Sequence, residues 1–159
     1  IMQGIRLHRE IDKFCDHHPG TQQFRETLPQ GTRRFAGIIL DITYDHLLAR
    51  EWNNLCEVPL QQFASDVYQI ITHYHSAMPE HVKPVLDRMR ERDWLNNYQH
   101  LETLKRAMKY TASRLRRGDR LSDYADRIEN ELCTIEPLFD EVWPDIVEHV
   151  SPEANARQA

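Results

Sequence analysis

Apolar residues return along the chain every three or four positions and hardly anywhere every two, the period of helices packed on one side. Met2, Ile5, Leu7, Ile11 and Phe14 form the first series, which His18-Pro19-Gly20 stops. Thr21 is placed to cap a short helix reaching Leu28, ended by Pro29 and Gly31. Thr32 then opens the most apolar stretch, TRRFAGIILDITYDHLLAREW, which runs to about Trp52. Further helices are predicted over Leu60–His75, over Pro79–Arg92 with its proline in the first turn, and over His100–Arg116. Beyond a break at Gly118-Asp119, the series Tyr124, Ile128, Leu132, Ile135, Phe139, Val142, Ile146 marks a last long helix. Pro137 and Pro144 should kink or split it. The expectation is an all-α fold, a single-domain helical bundle over residues 1–150 followed by a flexible tail, 151–159.

Composition narrows the class. At 159 residues, 40% hydrophobic and 28% charged, the chain is in the globular range. Five glycines are few for a Rossmann or P-loop fold. With a mean hydropathy of −0.68 and no long apolar run, a membrane span is not expected. Three scattered cysteines, Cys15, Cys56 and Cys133, make no disulfide framework, and with no targeting segment in view the expected setting is the cytoplasm. Residues 1–117 carry 17 Lys/Arg against 14 Asp/Glu, whereas residues 118–159 carry 3 against 11. A chain of pI about 6.0 is a poor general binder of nucleic acid. Within it sits one basic knot, Arg114, Arg116, Arg117 and Arg120, which is either a solvated helix end or a contact surface for an acidic partner.

Two helices place polar side chains where an apolar face is expected. His8 and Asp12 stand four apart on the first, with Cys15 continuing the row; Asp41 and Asp45 stand four apart on the most apolar one, with His46 beside them. Like-charged carboxylates on a buried face need a raised pKa, an arginine partner or a metal ion. Imidazole and carboxylate at this spacing suit Mn, Fe, Mg or Zn; a structural ion-pair network using Arg9 or Arg34 satisfies the same residues. Other candidates are weaker. His17-His18 reads as a capping or surface feature, His73 and His75 point to different sides of a helix, and Cys15 reads as an inert thiol.

Taken together, LHREIDKFCDHHP (Leu7–Pro19) and RRFAGIILDITYDHLLAREW (Arg33–Trp52) resemble the bacterial acyl carrier protein phosphodiesterase family. DWLNNY (Asp93–Tyr98), Ala112–Arg114 and Val142–Pro144 fall where that family has similar features. The resemblance implies a helical fold related to the HD-domain phosphohydrolases. It also implies a divalent metal, typically Mn²⁺ with Mg²⁺ or Fe²⁺ as alternatives, and hydrolysis of the phosphodiester joining 4′-phosphopantetheine to a serine of holo-acyl carrier protein. By residue, it implies His8, Asp41, Asp45 and His46 as metal ligands or their supports, and Asp12, Asp45 and His46 in catalysis. Arg9 and Arg114 are then expected on the phosphate, and Arg33, Arg34, Arg116, Arg117 and Arg120 on the acidic carrier protein, with no nucleic acid or membrane partner. Family members carry a further N-terminal segment with a candidate aspartate ligand, so an incomplete metal site is expected in a chain starting at Ile1. Two other readings stay open: an HD-type nucleotide phosphohydrolase, and a non-catalytic helical adaptor with a structural His/Asp network.

Overall fold

The computed structural model describes the backbone of residues 2–155 and the side chains of residues 3–151. Among the described residues there are helices and connecting turns and no strand, so the fold is all-α. The elements are α1 (Met2–His17), α2 (Pro19–Thr27), a 3₁₀ turn (Arg33–Phe35), α3 (Ala36–Arg50), α4 (Trp52–Leu55) and α5 (Leu60–Tyr74). A second 3₁₀ turn (His75–Ala77), α6 (Lys83–Glu91), α7 (Trp94–Asn97), α8 (Leu101–Ser113) and α9 (Asp119–Asn155) complete the chain. Residues up to Tyr44 together with those from Lys105 onward form one compact unit, and Asp45–Leu104 form a second. No helix among the described residues is long and apolar enough to cross a membrane.

The first unit holds most of the buried side chains. Along α9, Tyr124, Ile128, Ile135, Phe139, Val142 and Ile146 of the expected row are buried, and Leu121 and Ala125 are buried with them; Leu132 is only half-buried. Each large apolar side chain of that row contributes roughly 1.5–3 kcal/mol relative to exposure. α9 packs on α1 and α2. It passes unbroken through Pro137 and Pro144, so the expected split does not occur. Both prolines, and the residues four positions before them, Cys133 and Asp140, lie on the exposed side, where water takes the place of the missing N–H donors. α9 also continues through residues 151–155, inside the span expected as tail; residues 156–159 lie outside the described residues.

α2 begins two residues before the expected cap. His18, not Thr21, is its N-cap: the Nδ1 of His18 accepts a hydrogen bond from the Gly20 amide at 3.1 Å. Its Nε2 lies 3.1 Å from an Asp145 carboxylate oxygen, so the neutral ring donates to α9 while capping α2. Thr21 is buried inside the helix. Thr32 does precede the next helical segment, but that segment opens with a 3₁₀ turn and Thr32 makes no side-chain cap.

In the second unit α7 packs on α5 and α6. α6 starts at Lys83 rather than Pro79, with Pro84 as the proline of its first turn. α7 was not expected as an element. It is entered through Asp93, whose left-handed backbone (φ 46) marks a sharp turn, and Asn96 Nδ2 donates to both Asp93 carboxylate oxygens at 2.9 and 2.8 Å. Asparagine and aspartate tolerate such local bonding better than other residues, which is why a short polar run can build a turn.

Candidate active site

α1 presents His8, Asp12 and Asp16 at successive four-residue steps, one row on one face. His8 Nε2 lies 3.6 Å from an Asp12 carboxylate oxygen, with 73% and 47% of the two side chains exposed. Asp16 ends the row against α3. A Cβ at Gly37 would stand 2.6 Å from an Asp16 oxygen, so glycine there is what lets the carboxylate approach. Asp41 follows Gly37 by one turn of α3.

Asp41 shares the electrostatic neighbourhood of that row. Its carboxyl is pushed above the usual aspartate range, first by loss of hydration, then by the negative charge of Asp12; His8 works in the opposite direction and Asp16 adds to the rise. By surface area Asp41 is exposed, yet neighbouring atoms crowd its carboxylate. Solvent access limits the size of the rise, and lost hydration together with repulsion from Asp12 sets its direction. The sequence suggested that these carboxylates sit on a buried face. Instead Asp12, Asp41 and Asp45, with His8, are all exposed, and His46 alone of the group is buried. The reason is that α3 is apolar almost all round. Ile39, Leu40, Ile42, Tyr44, Leu47 and Ala49 are buried, and Asp41 and Asp45 occupy the stripe left open to water.

Cys15, half-buried beside the same cluster, has its thiol pushed up to about 11 by burial and then by Asp41, Asp12 and Asp16. A thiol held protonated at neutral pH is a poor nucleophile, in keeping with an inert thiol. Iodoacetamide at pH 8 should therefore label the exposed Cys133 well before Cys15, as peptide mass spectrometry would show; equal labelling rates would contradict the electrostatics of the cluster. Tyr44 is buried nearby, and among the described residues its hydroxyl has no hydrogen-bond partner. Burial raises its pKa, and Cys15 and Glu141 raise it further.

One imidazole and three carboxylates are suitable donors for Mn²⁺ or Mg²⁺. Their placement is less suitable: among the described residues no three His, Cys, Asp or Glu side chains are arranged to hold a metal ion. His8, Asp12, Asp16 and Asp41 interact electrostatically without forming a preformed ligand set.

Asp45 and His46 belong to the second unit. His46 Nδ1 donates to the Tyr98 carbonyl at 2.7 Å, which ties the last residue of DWLNNY to α3. The remaining candidates divide by what their donors do. Arg33 donates to the carbonyls of Leu28 (2.9 Å) and Glu26 (3.0 Å), closing the end of α2. Arg34 donates to the carbonyls of Arg116 (3.1 Å) and Arg117 (2.7 Å) and lies over the Phe35 ring. Arg114 reaches the Tyr110 hydroxyl at 3.1 Å, and the Arg120 stem lies along Gly31. Arg9, Arg116 and Arg117 are exposed. Sequence reasoning passed over Asp16, although it is the third member of the His8, Asp12 row and stands opposite a glycine.

A family model described as acyl carrier protein phosphodiesterase matches residues 1–146. A protein of that name from Escherichia coli O6:K15:H31 (strain 536) is 31% identical over 156 residues, covering 97% of this chain and 80% of the relative. Its namesake from Escherichia coli O6:H1 (strain CFT073) is 28% identical over 155 residues with the same coverage. One from Enterobacter sp. (strain 638) is 28% identical over 145 residues, 91% of this chain and 75% of the relative. No solved structure matches the chain significantly. With the family model matching residues 1–146 of the 159, the chain belongs to the acyl carrier protein phosphodiesterase family.

Proposed function

We propose that this chain hydrolyses the phosphodiester between 4′-phosphopantetheine and a serine of acyl carrier protein, in the cytoplasm and with a divalent cation, Mn²⁺ before Mg²⁺ or Fe²⁺. The observation that carries the reading is the electrostatic coupling of Asp41 to Asp12 and His8: a crowded carboxylate raised by a neighbouring carboxylate, against which one imidazole works only in part. A divalent cation supplies Lewis acidity toward a phosphodiester and relieves that excess. Its geometry is not preformed among the described residues, so the roles that follow belong to the chain's own groups. His8 is exposed and held near Asp12, which suits it to take a proton from the attacking water while Asp12 orients the ring and stabilises the imidazolium. Asp45 and His46, on the next turn of α3, are the other residues that the family resemblance assigns to the metal and to catalysis. Arg9 and Arg114 would meet the phosphate oxygens, where charge gathers during in-line displacement.

A competition assay tests the activity. Given holo-acyl carrier protein and mononucleotides together, the protein should release phosphopantetheine from the carrier and leave the nucleotides intact. Turnover of the nucleotides alone would replace this reading with a nucleotide phosphohydrolase.

Recognition of the acidic carrier falls to the exposed members of the arginine knot. Arg116→Glu combined with Arg117→Glu should raise KM for the carrier severalfold while kcat stays near the parent value, because exposed charges act on encounter. The exchange is structurally mild: Arg34 binds the backbone carbonyls at these positions, and the left-handed backbone of Arg117 (φ 61) disfavours glutamate no more than arginine. An unchanged KM would return the knot to a solvated helix end.

A further inference from the structure

The second unit contains a groove of about 720 Å³, a volume typical of small-molecule sites; the residues lining it, His73 among them, carry polar groups on a surface that is in larger part apolar. One wall is a stripe of α5: Gln61, Ser65, Tyr68, Gln69 and Thr72, spaced four, three, one and three apart, so that a single helix face carries them all. From Gln61 to Thr72 the stripe runs for about 16 Å at 1.5 Å per residue. The facing wall is built by Arg90 of α6, and by Asp93 and Asn96 at the start of α7.

This wall is braced. The Tyr68 hydroxyl accepts from the Leu95 amide at 2.9 Å, and its pKa is pushed up to about 12, by burial first and by Asp93 in addition, so the phenol keeps its proton. Arg90 Nη1 donates to the Thr72 hydroxyl at 3.1 Å, linking α6 to α5 across the groove. Asn96 is held on Asp93 through its amide nitrogen. By contrast, Gln61 and Gln69 make no side-chain hydrogen bond among the described residues.

The geometry points to this groove as the binding slot for the pantetheine arm, an extended, uncharged chain bearing two secondary amides and a hydroxyl. Each amide of such a chain offers one N–H and one C=O, and a side-chain carboxamide answers both. Hydroxyls of Ser65 and Thr72 can donate or accept, so they tolerate either orientation of the arm. The methylenes between the amides would lie along the aliphatic stems of the glutamines. A stripe about 16 Å long fits an extended arm better than a compact ring. The identity of the ligand rests on the proposed carrier-protein reading; the slot itself does not.

The test uses free pantetheine, kept reduced, with no phosphate and no carrier protein. Its binding to the whole chain is followed by saturation-transfer NMR and titration calorimetry. Binding to the parent protein is expected, and Ser65→Trp, which puts a bulky ring at an exposed position on the α5 wall, should weaken it at least tenfold. Gln69→Leu removes one carboxamide at nearly constant size and should weaken it severalfold, which keeps the test decisive if the tryptophan variant folds poorly. No binding to the parent protein, or equal binding by parent and Gln69→Leu, would overturn the assignment. If the parent hydrolyses holo-carrier but does not bind pantetheine, the slot is wrong and the activity stands. If pantetheine binds, weakened by both variants, and the carrier is never cleaved, the slot stands and the activity is wrong.

Discussion

Gly118→Ala is expected to lower the unfolding free energy by about 3 kcal/mol, a large part of the 5–15 kcal/mol of an ordinary domain. A Cβ at this position would lie 1.9 Å from the Ala112 carbonyl oxygen and 2.7 Å from its carbon. Backbone cannot swing aside as a side-chain tip can. The turn is closed on both sides: the Leu115 amide bonds Ala112 O at 3.1 Å, and the Gly118 amide bonds Leu115 O at 3.2 Å. Moving the turn would also disturb the Arg116 and Arg117 carbonyls on which Arg34 is anchored. For a chain of this length the loss corresponds to a fall in Tm of roughly 6–12 °C. Gly4→Ala is the matched control. Nothing lies within 4 Å of a Cβ at Gly4 in the exposed face of α1, so alanine there should stabilise by about 0.5–1 kcal/mol. Two thermal melts decide the matter; equal Tm values would refute the backbone contact.

The second large effect is on activity. Asp41→Asn should reduce release of phosphopantetheine roughly a hundredfold or more, since it removes the one carboxylate of the cluster that α3 supplies on this side. Stability should change the other way. In the folded protein the Asp41 carboxyl is held above the ordinary aspartate value of 3.8, so the native protein binds its proton more tightly than the unfolded chain does. Ionisation of Asp41 therefore removes stability as pH rises through the folded pKa. Asparagine abolishes that loss: the variant should melt slightly higher than the parent at pH 7, and the difference should vanish below pH 3.8, where the carboxyl is protonated in both states. Because Asp41 is partly solvated, the gain is small. A variant that loses activity and also melts well below the parent at pH 7 would instead assign Asp41 to a structural network.

Much of this molecule could be read from its sequence. The row of α9 was legible because apolar positions from Tyr124 to Ile146 recur with the helical period over about six turns, and no local effect competes with so long a pattern. The environment of the candidate site residues was not legible. His8 and Asp12 on α1 and Asp41 on α3 are exposed rather than buried, because one-dimensional periodicity cannot tell a buried polar face from the gap in an otherwise buried helix. The misplaced starts of α2 and α6 have local causes. His18 caps through a ring nitrogen, a role less expected of histidine than of threonine, and Pro84 occupies the first-turn position for which Pro79 also qualified. Asp16 and the α5 groove were not legible. Each depends on which helix lies opposite, Gly37 for the one and α7 for the other, and pairing of helices is not written in spacing.

The most direct measurement is the intact mass of an acyl carrier protein incubated with this protein and Mn²⁺. The account predicts loss of the phosphopantetheine mass from the holo form, a free serine in the product and release of 4′-phosphopantetheine. It further predicts that a chelator stops the reaction and that added Mn²⁺ restores it. A carrier whose mass stays at the holo value under these conditions would contradict the account, and release at full rate in the presence of the chelator would contradict the role given to the cation.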